Sequence, residues 1–227
     1  MRELKILASA IAALAMSSGA APAAAAPQVE VDFTTGCSLF GGQGFSSGRL
    51  GFFKAMDTLG PCDVTITVSG MVKGGSFNFE ISEGVRNNSA FNWHDFHHSL
   101  GYRMNGVFKR SGTTDGVYFS VDPPKTGENF TLTGQDDPSQ ANSLDWVASG
   151  PDFANDGIGV NDFHFGLHIS DVDESGNADN DGVTTFVLRQ QATIPEPGAL
   201  SLWLLVSGAG LLASRRRRQT AAPTFAH

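Results

Sequence analysis

The densest oxygen chemistry in the chain lies in one short segment, Asp171-Val172-Asp173-Glu174-Ser175-Gly176-Asn177-Ala178-Asp179-Asn180-Asp181-Gly182. Several carboxylates in one loop repel one another, and a divalent cation relieves that repulsion. Asp171, Asp173, Ser175, Asn177, Asp179 and Asp181 are therefore candidate calcium ligands. The plain alternative is a solvated acidic hairpin turn. A second group is a short repeat: Asp95-Phe96-His97-His98-Ser99-Leu100 matches Asp162-Phe163-His164-Phe165-Gly166-Leu167. Imidazole beside carboxylate suits a metal or a glycan. If the two strands are neighbours, Asp95, His97, Asp162 and His164 converge, with Trp93 on the face of the first copy. The alternative, favoured by how histidine usually bonds, is that each Asp and His satisfies itself and nearby backbone at a sheet edge.

The acidic segment resembles an EF-hand calcium loop over its first nine positions. Asp171, Asp173 and Ser175 fall at positions 1, 3 and 5, Gly176 at 6 and Asp179 at 9. It departs at position 12, where Gly182 replaces the bidentate Glu, and in its flanks, which read as strands. Gly44-Phe45-Ser46-Ser47-Gly48 fits the G-x-S-x-G pattern of a serine nucleophile. That chemistry needs a strand before the serine, a helix after it and a doubly wound sheet around it, and none is expected here. Glycosidase chemistry needs two carboxylates held across a cleft, which sequence cannot pair.

The elements that must position these groups are strands. Segments such as Val64-Thr65-Ile66-Thr67-Val68 and Phe77-Asn78-Phe79-Glu80-Ile81 alternate apolar and polar residues. The pattern predicts strands over 28–33, 64–72, 76–82, 93–100, 116–121, 129–133, 145–148, 160–170 and 183–194. Lys73-Gly74-Gly75, Asn105-Gly106, Asp115-Gly116, Asp156-Gly157 and Asp181-Gly182 mark turns between them. The expected fold is all-β, a β-sandwich of jelly-roll-like form. Strand alternation puts Phe163, Phe165, Leu167 and Ile169 in the core, and Asp162, His164 and His168 on the other face. Phe96 and Leu100 are core by the same parity. The Gly- and Ser-rich stretch 36–51 reads as a loop pinned by a disulfide between the two cysteines, Cys37 and Cys62.

Both ends read as targeting segments. Arg2 and Lys5 precede an apolar run from Ile6 to Met16 and an Ala-rich stretch, the form of a cleaved signal peptide. Pro27 disfavours a cut after Ala26, so residues 1–25 are the expected signal helix. At the other end Pro195-Glu196-Pro197 leads into an apolar run from Gly198 to Ala213, closed by Arg215, Arg216, Arg217 and Arg218. As a helix that run rises about 24 Å, close to a bilayer's hydrocarbon thickness. The arginines stay cytoplasmic by the positive-inside rule, which places the main body outside. This order resembles the PEP-CTERM sorting signal, which the membrane protease exosortase reads in Gram-negative bacteria that make exopolysaccharide. The stretch NNSAFNWHDFHHSLG resembles a strand of PEP-CTERM passenger domains. The alternative for the tail is a plain membrane anchor that is never cut.

The chain then divides into a signal peptide over 1–25, a passenger domain over 26–194, a sorting signal with a transmembrane helix over 195–218, and a short cytoplasmic tail over 219–227. Without its ends the domain keeps nine basic against 21 acidic residues, a net charge near −12. Nucleic acid is excluded as a partner, because its phosphates need a basic face. The resemblance implies signal peptidase, the secretion machinery and, transiently, exosortase as partners, with exopolysaccharide or other matrix components at the destination. The expected role is structural or adhesive and not enzymatic, at the cell surface or in the extracellular matrix. The runner-up is a carbohydrate-binding module using Trp93, Trp146 or Tyr102 as stacking platforms, and the third a C-terminally anchored surface enzyme.

Overall fold

The computed structural model of the chain describes residues 26–194. The expected signal peptide, Pro195, Glu196, Pro197, the apolar run and Arg215 to Arg218 lie outside the described residues. Thirteen strands follow one another: β1 Gln28–Thr35, β2 Cys37–Ser46, β3 Arg49–Met56, β4 Cys62–Ser69, β5 Ser76–Asn87, β6 Asp95–Met104, β7 Val107–Arg110, β8 Val117–Phe119, β9 Thr126–Gly127, β10 Phe130–Gln135, β11 Ser143–Ala148, β12 Val160–Ser170 and β13 Val183–Thr193. They form two sheets. The first runs β1-β4-β13-β6-β11-β10, with β7 also on β6, and the second runs β2-β3-β5-β12-β8, with β9 also on β12. Every pairing is antiparallel except β3 with β5. The expected all-β, β-sandwich-like class is what forms. Among the described residues no helix is long and apolar enough to cross a membrane.

Alternation decides which faces meet. Along β12, Phe163, Phe165, Leu167 and Ile169 are buried, while Asp162, His164 and His168 are half-buried on the outer face. Phe96 and Leu100 of β6 point into the same core. Aromatic rings join the sheets: Trp146 of β11 lies 5.1 Å from Phe163, and Phe33 of β1 meets Phe52 of β3 edge-on at 5.8 Å. Cys37 and Cys62 are bonded, as expected, and the bond ties β2 of one sheet to β4 of the other.

The segment expected as a loop over 36–51 is instead a β-hairpin. Ser46 pairs with Arg49 across a two-residue turn. Ser47 and Gly48 there have φ of 52° and 75°, the two left-handed residues that a tight hairpin turn requires. Its glycines hide the strand signal because β2 is a largely exposed sheet edge, where apolar alternation is not demanded. Two short strands, β7 and β9, also escape the sequence pattern. The Asn105-Gly106 turn before β7 forms where expected.

Candidate functional site

The acidic segment is the connection between β12 and β13, at one end of the two sheets. It gathers carboxylates in a different set from the one its spacing suggests. Oxygens of Asp171, Asp179 and Asp181 lie within 4.8 Å of one another. Asp171 is buried and fixes the loop, accepting the Gly74 N–H at 2.7 Å and the Gly182 N–H at 3.1 Å. Asp181 accepts the Val183 N–H at 2.6 Å. Loss of surrounding water within the loop, then the charges of Asp181, Asp171 and Asp173, pushes the exposed Asp179 carboxyl above its ordinary range. Asp173 stands outside that group. Its Oδ1 accepts the N–H groups of Ser175 and Asn177 at 2.8 and 2.9 Å, which closes a separate turn and holds its carboxyl low. The EF-hand order is therefore not reproduced: side-chain turns take up Asp173, while the far end of the loop folds back on Asp171.

The two Asp-His copies do not converge. β6 belongs to the first sheet and β12 to the second, and the two meet through their apolar faces. Asp95 and His97 point out of one side, Asp162 and His164 out of the other. His97 Nδ1 bonds Asp145 Oδ1 at 2.8 Å, and these residues are direct cross-strand partners. Asp162 and His164 border a shallow recess with Thr126, Gly127 and Glu128. Trp93 does not share their outer face. It is buried against Phe96 and Phe153, and its indole donates to Ser89 Oγ at 3.0 Å. Trp93 precedes β6 and pairs with Phe153 in an isolated bridge, so strand parity does not reach back to it. Trp146 and Tyr102, the other expected platforms, are also buried, with their polar tips bonded to His98 and to the Asp115 carbonyl. Gly44 to Gly48 forms the end of β2 and its hairpin turn, the wrong setting for a serine nucleophile.

The most unusual group in the domain carries no sequence motif. Lys54, Glu83, His98 and Gln190 are all fully buried between the sheets. Lys54 Nζ lies 2.7 Å from Glu83 Oε1, Gln190 Nε2 donates to Glu83 Oε2 at 2.7 Å, and His98 Nε2 stands 3.6 Å from that same oxygen. The Trp146 indole donates to His98 Nδ1 at 2.9 Å. Indole can only donate, so the His98 proton is on Nε2 and faces Glu83. Burial pushes the Lys54 amine down and holds His98 below the ordinary imidazole value. Burial would push Glu83 up, but the charge of Lys54 and the His98 contact outweigh it and hold the carboxyl low. Alternation was the available signal. Leu50-Gly51-Phe52-Phe53-Lys54 and Phe79-Glu80-Ile81-Ser82-Glu83 place a charged residue at an inward position of each strand.

Neither a scan of protein-family models nor a search of curated proteins finds a match to this chain.

Proposed function

We propose that this chain is an exported bacterial surface or exopolysaccharide-matrix protein with a structural or adhesive role. Its jelly-roll-like passenger domain is delivered by the C-terminal signal and separated from it by exosortase. The observation that carries the reading is the order of the C-terminal residues, Pro195-Glu196-Pro197, then an apolar run, then Arg215 to Arg218. β13 lies inside its sheet and is paired through Thr193, which stands opposite Asp95. Pro195, two residues on, has no N–H to give a ladder, and a cut at Pro195-Glu196-Pro197 leaves all of β13 with the body. The Cys37–Cys62 bond suits an oxidising, extracytoplasmic compartment. The most polar cluster of the interior is closed to solvent, which fits a structural body better than an enzyme. Calcium at Asp171, Asp179 and Asp181 belongs to the same reading, as the ion that relieves their mutual repulsion. The test is the mass of the surface protein made in a host with exosortase. Its C-terminus is expected near Pro-Glu-Pro, and a protein that keeps Trp203 and Arg215 to Arg218 there sinks the sorting reading in favour of a plain anchor.

One observation favours carbohydrate binding as the second reading. On the outer face of the second sheet Tyr118 stacks on His168, ring centroids 4.5 Å apart, and His168 Nδ1 bonds Asn78 Oδ1 at 2.7 Å. Asn78 also borders a shallow recess with Glu80, Ser120 and Asp122. A flat ring pair beside amide, hydroxyl and carboxylate groups suits a sugar face and its hydroxyls. Pull-down on matrix polysaccharide that is lost in Tyr118→Ala supports it. Equal capture by both forms removes it.

A further inference from the structure

We propose that Lys54 and Gln190 become joined by an intramolecular amide that ties the two sheets together, with Glu83 as the proton relay. The reaction is an amide exchange. Lys54 Nζ attacks Gln190 Cδ, the new Nζ–Cδ bond replaces the Cδ–Nε2 bond, and the old amide nitrogen leaves as ammonia. No oxidant, reductant or co-reactant is needed. An ammonium and a primary amide go in, and a secondary amide and ammonium come out.

The cluster supplies each part. Glu83 is the only carboxylate in it, and its two oxygens face the two nitrogens that must exchange a proton. Oε1 sits 2.7 Å from Lys54 Nζ, the nucleophile, and Oε2 accepts from Gln190 Nε2, the leaving group, at 2.7 Å. A carboxylate so placed takes a proton from the amine and delivers one to the departing nitrogen. Full burial disfavours the charged amine, so the neutral, nucleophilic form of Lys54 is accessible. The carbonyl oxygen also has a donor on the facing strand. Gln190 Oε1 and His98 Nε2 are both buried without a hydrogen-bond partner, as are Lys54 Nζ and Glu83 Oε1, which meet as an ion pair. Gln190 and His98 stand directly opposite each other on β13 and β6. The Nε2 proton that the Trp146 contact fixes on His98 is therefore the available donor to the charge that develops on that oxygen. Phe96, Phe119, Phe163 and Phe165 pack around His98 and exclude water that would compete. Lys54 lies on β3 and Gln190 on β13, in different sheets, so the bond is a second covalent tie beside Cys37–Cys62.

The test is a tryptic digest of the full exported chain after denaturation, reduction and alkylation. Trypsin does not cut after an acylated lysine. The expected product is therefore the Leu50–Lys73 peptide, uncut at Lys54, branched to the peptide that begins at Gln190. Its mass is the sum of the two less one ammonia. An unlinked peptide beginning at Gln190 also loses ammonia by cyclising, so the branch itself is the readout. Recovery of a peptide ending at Lys54 with the Gln190 peptide free overturns the proposal. So does a branch from Lys54 to the Gly74–Arg86 peptide with loss of one water, which would put the bond on Glu83. Glu83→Gln keeps the size and removes the relay, and it is expected to lower the linked fraction at early times by about a hundredfold. Linking at the wild-type rate in that variant overturns the role of Glu83. The wild-type digest decides the bond whether or not the variant folds.

Discussion

Phe96 and Phe163 stack across the two sheets with ring centroids 4.9 Å apart and planes inclined by 21°. They hold the same place in the two Asp-Phe-His copies, so the repeat is a packing device in which each copy contributes one ring to the same interior. Phe163 also touches Trp146, Phe130 and His98, and Phe96 also touches Trp93, Phe130 and His98. Truncating a buried phenylalanine costs about 3–5 kcal/mol through lost transfer energy and the cavity left behind. Phe163→Ala is therefore expected to lower the denaturation free energy by that amount, measured by urea unfolding. A loss below about 1 kcal/mol would show that the neighbouring rings close the gap, against the rigid packing described here.

The disulfide offers a separable test of the tie between sheets. Cys62 is buried, and the bond closes a loop with a sequence separation of 25. On the chain-entropy model such a loop is worth about 3 kcal/mol. The Cys37→Ser, Cys62→Ser double variant is expected to unfold at lower denaturant concentration by about that free energy, with its strand content retained in circular dichroism. Unchanged midpoints would show that the bond is incidental to stability.

Much of this architecture was legible in the sequence because one face of each long strand must be apolar. β12 matches its expected limits, and its buried and outer residues fall where alternation puts them. The failures have physical causes. β2 lies at a sheet edge and is mostly exposed, so its Gly-Ser sequence carries no apolar alternation. Trp93 lies before β6, where parity no longer applies, and its buried indole finds Ser89. The Asp-His copies would form one site only on neighbouring strands, which sequence cannot tell from strands in opposite sheets, and His97 finds Asp145 as a local partner instead. The Lys54–Glu83 cluster was hidden because a charged residue at an inward position reads as a break in the pattern until its partner is seen.

That cluster gives the domain a defined acid response. Burial holds the folded His98 below its ordinary value. As pH falls through the unfolded value, about 6.5, the unfolded chain takes a proton that the folded chain refuses. Stability is then lost toward acid, at a slope approaching 1.4 kcal/mol per pH unit for this one proton. In the chain before Lys54 and Gln190 are joined, Glu83, held low by Lys54 and His98 against the effect of burial, acts in the same direction. Its contribution is present above the ordinary glutamate range and is lost as pH falls through its lower folded value. Urea unfolding at a series of pH values should show the first loss between about pH 6.5 and 5, and His98→Gln should flatten it. A profile that stays level down to pH 5 in the wild type would mean that His98 charges freely in the folded state.

The calcium reading turns on which carboxylates move together. Asp171 is anchored by backbone N–H groups of Gly74 and Gly182, whereas Asp179 and Asp181 are exposed and approach it from the far end of the loop. A cation held by these three would pin the start and the end of the β12–β13 connection to each other. Binding only the folded state adds about 2.7 kcal/mol at a hundredfold excess over the dissociation constant. Millimolar calcium is therefore expected to raise the melting temperature, and Asp179→Asn with Asp181→Asn to abolish the rise. Asp173→Ala separates the two ligand sets. The observed geometry predicts that this variant keeps the calcium response, at a small cost from the lost turn, while an EF-hand order predicts its loss. Magnesium should do less, because it demands a stricter octahedral shell and gives up water reluctantly. Identical melting curves with calcium and with chelator would leave the segment as an acidic turn, organised by Asp171 and Asp173 through backbone hydrogen bonds alone.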